Sequence, residues 1–254
     1  NSGRVSDLCG AGGVPIRYAC GIMRLRFRCG ALLLSVLLLC LPVCAIPAYA
    51  AYPNVYSCCR CAKKQIALTF DDGPHRSYTA QILDILKHYN IRATFFVVGE
   101  NAKTYPELVK RELAEGHEVG NHTFSHLKLQ CAQSSLLRSE MLETEELIYS
   151  ITGKRTVLFR PPEGVCSKET AALAAEMNYN VILWTIDTRD WAHTPVKTIE
   201  NQVLTQVKSG DIILFHDFIG KNSPTPQVLQ DILPKLLAEG YQFVTVSELI
   251  ASAG

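Results

Sequence analysis

The sequence predicts an α/β fold built on parallel strands, and three observations carry that prediction. Short apolar runs of β-like composition alternate with amphipathic stretches about seven times after residue 64. The runs are apolar on both faces, as a parallel sheet covered by helices requires. No G-x-G-x-x-G follows the first run, so a dinucleotide-binding fold has no support. At this level a closed or distorted barrel and an open doubly wound sheet both satisfy the pattern.

In chain order, the strands are predicted at QIALTF (65–70), ATFFVV (93–98), HEVGNH (117–122), TVLFR (156–160), NVILWTI (180–186), DIILFH (211–216) and QFVTV (242–246). Between them lie segments with apolar residues three to four apart. The first, residues 79–90, puts Ile82, Leu83, Ile85, Leu86 and Tyr89 on one face. Five more run over 105–116, 133–153, 167–178, 196–210 and 225–240, and several end in Gly or Asn, the residues helix C-caps prefer.

The N-terminal part has another character. From Met23, three arginines precede an apolar run over 31–46, and Ala48-Tyr49-Ala50 supplies a small-x-small cleavage pattern. Residues 23–50 therefore read as a secretory signal peptide. The run is short for a membrane span, and Pro42 and Pro47 interrupt its end. Residues 1–22 lack an initiating Met and any periodicity, and read as an upstream extension of the gene start. Residues 51–64 read as an irregular linker, and 65–254 as one catalytic domain. The protein is expected to be exported, secreted or in the cell envelope, with membrane contact only through an uncleaved leader.

Removing residues 1–50 takes five arginines and one aspartate from totals of 25 basic and 24 acidic residues. The remaining 20 and 23 give a net charge of −3, which excludes a polybasic, nucleic-acid-binding surface. Five of the ten cysteines go with the leader. Cys58, Cys59, Cys61, Cys131 and Cys166 remain, and no second Cys or His cluster at structural-zinc spacing faces Cys58–Cys61.

Polar residues collect at the predicted C-terminal strand ends, where α/β folds place their sites. Asp71 and Asp72 follow the first strand. Neighbouring strand residues point to opposite faces, so these two share a site only where the strand breaks, and Gly73-Pro74 supplies the break. His122 and His126, after the third strand, stand four apart, which lets two imidazoles reach one metal from a helix turn or a loop. Arg160 ends the fourth strand and opens Arg-Pro-Pro-Glu-Gly, a rigid turn that exposes backbone N–H groups. Asp187, Asp190 and Trp191 follow the fifth strand, and His216 ends the sixth.

Thr-Phe-Asp-Asp, His-x-x-x-His, Arg-Pro-Pro-x-Gly, Asp-x-x-Asp-Trp and Leu-x-His, in this order, resemble the five motifs of the polysaccharide deacetylases. These are the NodB-homology enzymes of carbohydrate esterase family 4, and the resemblance covers residues 64 to 250. It implies a distorted (β/α)7-8 barrel and a divalent metal, zinc with cobalt as an alternative. By this resemblance Asp72, His122 and His126 hold the metal. Asp71 is the base that takes a proton from the water the metal activates, and Arg160 keeps Asp71 ionised. His216 is the acid that protonates the leaving amine, and Asp190 orients it. The Glu163 backbone N–H joins in stabilising the oxyanion, Leu214 lines the acetyl pocket, and Trp191 stands at the substrate groove. Glu163 is a departure, since the family often carries an aromatic or apolar residue there.

The implied reaction is removal of N-acetyl groups from N-acetylglucosamine-containing glycan, peptidoglycan or chitin-like. An O-acetyl xylan esterase is the enzymatic alternative, and a silent carbohydrate-binding module is the non-enzymatic one. Every catalytic position holds a residue type competent for the chemistry, which counts against the module.

Overall fold

In the computed structural model, residues 54–60 and 63–253 are described. The segments expected to be a signal peptide (23–50) and an upstream extension (1–22) lie outside them. The strands are β1 (Val55–Tyr56), β2 (Gln65–Asp71), β3 (Thr94–Val97), β4 (Glu118–Asn121), β5 (Leu158–Phe159), β6 (Asn180–Ile182), β7 (Ile186–Asp187), β8 (Ile212–His216) and β9 (Gln242–Phe243). They form one sheet in the order β1-β6-β5-β4-β3-β2-β8-β7, with β9 beside β2, and every named pair is parallel.

The helices are α1 (Tyr78–His88), α2 (Gly99–Thr104), α3 (Pro106–Ala114), α4 (Ser134–Thr152), α5 (Lys168–Glu176), α6 (Val196–Gln206), α7 (Thr225–Ala238) and α8 (Val246–Ala251). Five of them end as their sequences indicate. Asn90, Gly116, Gly153, Asn178 and Gly240, at or just past the C-caps of α1, α3, α4, α5 and α7, all take left-handed φ.

Alternation along the strands builds two compartments. On β2, Ile66, Leu68 and Phe70 join Ile213 and Phe215 of β8 in a core shared with α1 and α7, which contribute Ile82, Leu86, Leu229 and Ile232. Phe70 stacks on Phe95 and Phe215 at centroid distances of 5.0 and 5.9 Å. The opposite face of the same strands carries Ala67 and Ile212, which pack with Phe96, Leu158 and Ile182 inside the curl of the sheet. Thr69, Asp71, Leu214 and His216 continue that inner face toward the C-terminal strand ends. The hydrophobic period that buries Phe70 therefore also directs Asp71 inward.

Four predictions are corrected. The run 180–186 is not one strand: it breaks at Leu183–Thr185 into β6, paired with β5 and β1, and β7, paired with β8. One stretch of chain thus passes from β6, next to one end of the order, to β7 at the other end, and the sheet curls into a distorted barrel rather than an open sheet. Residues 51–64 are not simply a linker, because β1 pairs with β6, and Cys58 then bridges antiparallel to Asp211 beside β8. The run 242–246 ends as a strand at Phe243, because Thr245 caps α8 with a reciprocal Glu248 capping box. The predicted strand 156–160 is ordered as β only over two residues, and α2 adds a helical turn directly after β3.

Candidate active site

The parallel register brings the key residues level. Asp71 pairs with Phe96 on one side and with His216 on the other. The strand stops there, and Asp72 takes φ +75°, a region that Asp tolerates better than most residues. This rotation turns the Asp72 carboxylate toward the side Asp71 already faces, and Asn101 Nδ2 fixes it by donating to the Asp72 carbonyl at 2.7 Å.

His122 and His126 reach the same point from a loop, not from one helix face. Thr123 and His126 both have left-handed backbones. Asn121 Oδ1 accepts from Thr123 N–H, and Glu140 Oε2 accepts from Phe124 and Ser125 N–H, so the loop's amides are satisfied by side chains. Six of the nine non-glycine left-handed residues among the described ones, Asp72, Thr123, His126, Glu163, Arg189 and His193, lie on this rim of the sheet. Strain of this kind concentrates where a site over-determines the backbone.

Asp72 Oδ1 lies 3.3 Å from Nε2 of both His122 and His126. It is buried and takes no hydrogen bond. His122 Nδ1 is 2.7 Å from the Arg160 carbonyl, which accepts only, so Nδ1 carries the proton and Nε2 presents its lone pair to the carboxylate. Acceptors converging on one point suit a cation between them. The ligand atoms of all three residues lie within 4.8 Å of one another, and two imidazoles with one carboxylate suit a divalent transition metal. The residues therefore fit the metal. The surrounding charge agrees: burial depresses His122, but Asp71 and Asp72 raise its proton affinity overall. Burial likewise opposes ionisation of Asp72, yet the neighbouring His122, with His216 and His126, holds it below the usual carboxylate range. The more open His126 is depressed by burial and by His122.

Arg160 is wholly buried, a costly place for a charge unless its donors are met. The break between β6 and β7 supplies the acceptors. Nε donates to Ile182 O at 3.0 Å and Nη2 to Leu183 O at 3.2 Å, while Nη1 reaches Thr69 Oγ1 at 2.8 Å and Asp71 Oδ1 at 2.7 Å. The guanidinium also stacks 4.2 Å from the Phe96 ring centre. Burial lowers its pKa, with Asp71 opposing. Asp71 Oδ1 is thereby tied down, and Oδ2 faces the metal residues, 3.8 Å from His122 Nε2.

Across the cleft, His216 Nδ1 is 2.7 Å from Asp190 Oδ1, and Asp190 Oδ2 accepts from His216 N–H and Thr225 Oγ1 at 2.8 and 2.6 Å. Burial would depress His216, but the Asp190 bond and charge, with Asp71 and Asp72, push its pKa up to about 9. Glu163 forms the apex of the Pro162–Gly164 turn, with Gln130 Nε2 donating to its carboxylate at 2.5 Å. Gly164, at φ +68°, lets the Trp184 ring lie where a Cβ would be 2.5 Å away. The resulting cleft encloses about 430 Å³ and contains Glu163, Trp184, Asp187, Trp191 and Leu214 beside the metal and acid–base residues. Trp191 is 49% exposed at its edge. Asp72 and His126 also border a second recess of about 300 Å³ with Glu100 and Phe218, so the site opens on two sides.

All ten site residues predicted from sequence meet around this cleft. Sequence reasoning missed Thr69, Trp184, Asp217 and Thr225. Trp184 was hidden inside an apparent strand, and Asp217, directly after His216, was visible as an acid at a strand end. Thr69 and Thr225 carried no signal.

Comparison with known proteins agrees with this geometry. A family model described as polysaccharide deacetylase matches residues 60–182. A peptidoglycan-N-acetylglucosamine deacetylase of Bacillus cereus is 44% identical over 190 residues, 74% of this chain and 89% of that protein. The solved Bc1960 peptidoglycan N-acetylglucosamine deacetylase superposes with a TM-score of 0.77 at 36% identity, covering 80% of this chain and 95% of that one. A family 4 acetyl xylan esterase from Clostridium thermocellum, in complex with a cobalt ion, gives 0.68 at 34% identity, covering 74% and 92%. The chain belongs to the polysaccharide deacetylase family, the NodB-homology enzymes of carbohydrate esterase family 4.

Proposed function

We propose that the chain is a metal-dependent deacetylase that removes N-acetyl groups from the N-acetylglucosamine units of peptidoglycan, and that residues 23–50 direct its export. One observation carries the chemistry: a carboxylate tied to Arg160 and an imidazole tied to Asp190 face each other across three convergent metal-binding side chains. The glycan assignment is supported by the relatives named for peptidoglycan, and the cleft's opening on two sides suits a polymer.

Asp72, His122 and His126 would hold the ion, zinc or cobalt. When bound, such an ion supplies Lewis acidity, polarising an acyl carbonyl and easing deprotonation of water. Asp71 takes the proton of the attacking water through Oδ2, because Oδ1 is engaged by Arg160. The Glu163 N–H donates to the oxygen that gains negative charge. Leu214 packs against the acetyl methyl, and Trp191 offers a sugar ring its exposed face. His216, its Nδ1 held by Asp190, gives the Nε2 proton to the departing nitrogen, which leaves as an amine. Base and acid act on one bound acetamide without changing place.

Acetate release by the full chain, measured in parallel on peptidoglycan, N-acetylated chitin oligomers and acetylated xylan, tests this. Release from peptidoglycan is expected. Release from xylan alone would assign an esterase, and glycan binding without any release would assign a silent module.

A further inference from the structure

The turn that carries Asp71 and Asp72 must hold its place to a fraction of an ångström against His216, which lies on another strand. The β2–β8 ladder sets the level of Asp71 and His216 but ends with them, and Asp72 lies beyond it. What continues the register is Asp217. Its N–H donates to Asp71 O at 3.1 Å, adding one more rung past the strand pair. Its side chain is buried, and Oδ2 accepts from Thr79 Oγ1 at 2.5 Å. Thr79 Oγ1 in turn accepts from His75 N–H at 2.7 Å. The carboxyl rests directly on Gly73: a Cβ built there would lie 2.0 Å from Oδ2 and 2.4 Å from both Cγ and Oδ1. Residues 71 to 75 are thus gripped on one side through Asp71 O, on the other through the start of α1, and across Gly73 by contact. The neighbouring rings extend the same seam, with Phe218 stacked on His75 at 5.0 Å and 7°.

Stability alone does not account for a carboxyl in this place. Asp217 Oδ1 is buried and accepts no hydrogen bond, a state that costs free energy, and the negative Asp71 and Asp72 stand nearby.

We propose that Asp217 is a positioning residue that fixes the turn bearing Asp71 and Asp72 against the strand bearing His216. It touches neither substrate nor metal. It sets where the Asp72 carboxylate meets His122 and His126, and how far the proton acceptor stands from the proton donor. Gly73 is the complementary half of the contact, because only a residue without a Cβ lets the carboxyl close on the turn. This assignment rests on the reading of Asp71, Asp72 and His216 given above.

The test uses the full-length chain and three variants, Asp217→Ala, Asp217→Asn and Gly73→Ala. Each is followed by thermal unfolding, by Co²⁺ titration of the metal-stripped protein through its visible absorption, and by kcat and KM on an N-acetylated chitin tetramer. Asp217→Ala empties the space over Gly73, and Gly73→Ala drives a Cβ into the carboxyl. Each is expected to weaken Co²⁺ binding and to lower kcat by roughly 10- to 100-fold, the range seen when groups supporting a metal site are lost, with KM changed less than about threefold. Asp217→Asn keeps the shape and an acceptor for Thr79, and is expected to restore both quantities to within about threefold of wild type. A folded Asp217→Ala or Gly73→Ala protein with wild-type Co²⁺ affinity would overturn the proposal. So would an Asp217→Asn protein as impaired as Asp217→Ala, since charge rather than shape would then decide. If the wild-type chain released no acetate from any glycan, the proposed reaction would fail, and the Co²⁺ titrations would still decide the role of Asp217.

Discussion

Replacing Asp190 by Asn isolates the electrostatics of the proton donor. His216 Nδ1 is 2.7 Å from Asp190 Oδ1, and the His216 pKa stands at about 9 against an ordinary 6.5. That rise corresponds to roughly 3 kcal/mol in favour of the imidazolium, at about 1.4 kcal/mol per pH unit. Burial pulls the other way, and the Asp190 bond and charge are the largest upward contributions, ahead of Asp71 and Asp72. All four groups around the Asp190 carboxylate point donors at it: His216 N–H, His216 Nδ1–H, Trp191 N–H and the Thr225 hydroxyl. An Asn amide must therefore turn its NH₂ toward a donor on one side. The imidazolium loses its anionic partner while remaining buried, and its pKa falls from about 9 toward the ordinary value.

A general acid works only while protonated, so the alkaline limb of the kcat profile marks the His216 pKa in the complex. The added charge of a bound dication moves this limb below 9 in the loaded enzyme. The difference between wild type and Asp190→Asn keeps its sign, and the limb in the variant is expected to lie at least one pH unit lower. At pH 8, kcat is expected to fall about 100-fold or more, within the 10²–10⁴ range of general acid catalysis. The stability linkage runs the same way: because the folded pKa lies above the unfolded one, the pairing stabilises fully below about pH 6.5. That stabilisation is lost as pH rises through about 9. Acetate release across pH 5–10, beside a titration of the His216 imidazole by NMR, measures both. An Asp190→Asn enzyme with an unmoved alkaline limb would refute the assignment of His216 as the proton donor.

Three further outcomes are expected. His126→Ala removes one of the three convergent ligands, and both Co²⁺ binding and acetate release should be lost, with unfolding of the metal-free protein little changed. Glu112 is fully buried with both carboxyl oxygens unpartnered, and burial, aided by the charge of Asp217, raises its pKa well above 4.5. A raised acid pKa favours the fold only at low pH. Glu112→Gln should therefore match wild type near pH 4 and exceed it at pH 8 by about 1–2 kcal/mol, or several degrees in Tm. Gly164→Ala places a Cβ 2.5 Å from Trp184 at φ +68°. Calorimetry should show a loss of about 1–2 kcal/mol, with kcat reduced as Trp184 is displaced within the cleft.

How far the sequence disclosed this arrangement follows from which features are local. The strand at 65–70 was legible because Ile66, Leu68 and Phe70 must reach a helix-covered core, and the same alternation sends Asp71 to the inner face. The helix ends at Gly153 and Gly240 were legible because left-handed caps have a residue preference. The break inside 180–186 was not. Its apolar run reads as one strand, and only the buried Arg160, which collects the carbonyls of Ile182 and Leu183, shows why it divides. The run 242–246 was misjudged because β-branched residues outweighed the Thr245–Glu248 capping box, a local signal present in the sequence. Thr225 and Thr69 act through contacts 35 and 91 residues away in the chain, which no local pattern encodes.

The most direct test of the account pairs metal removal with Asp71→Asn on peptidoglycan. Wild-type protein stripped of metal should release no acetate, and zinc or Co²⁺ should restore release. Asp71→Asn should bind Co²⁺ with near wild-type affinity, because Asp72, His122 and His126 are intact, and should release no acetate at any pH. Acetate release by the stripped wild-type protein at the full rate, or by Asp71→Asn within about tenfold of wild type, would contradict a mechanism in which Asp71 takes the proton beside a metal held by those three residues.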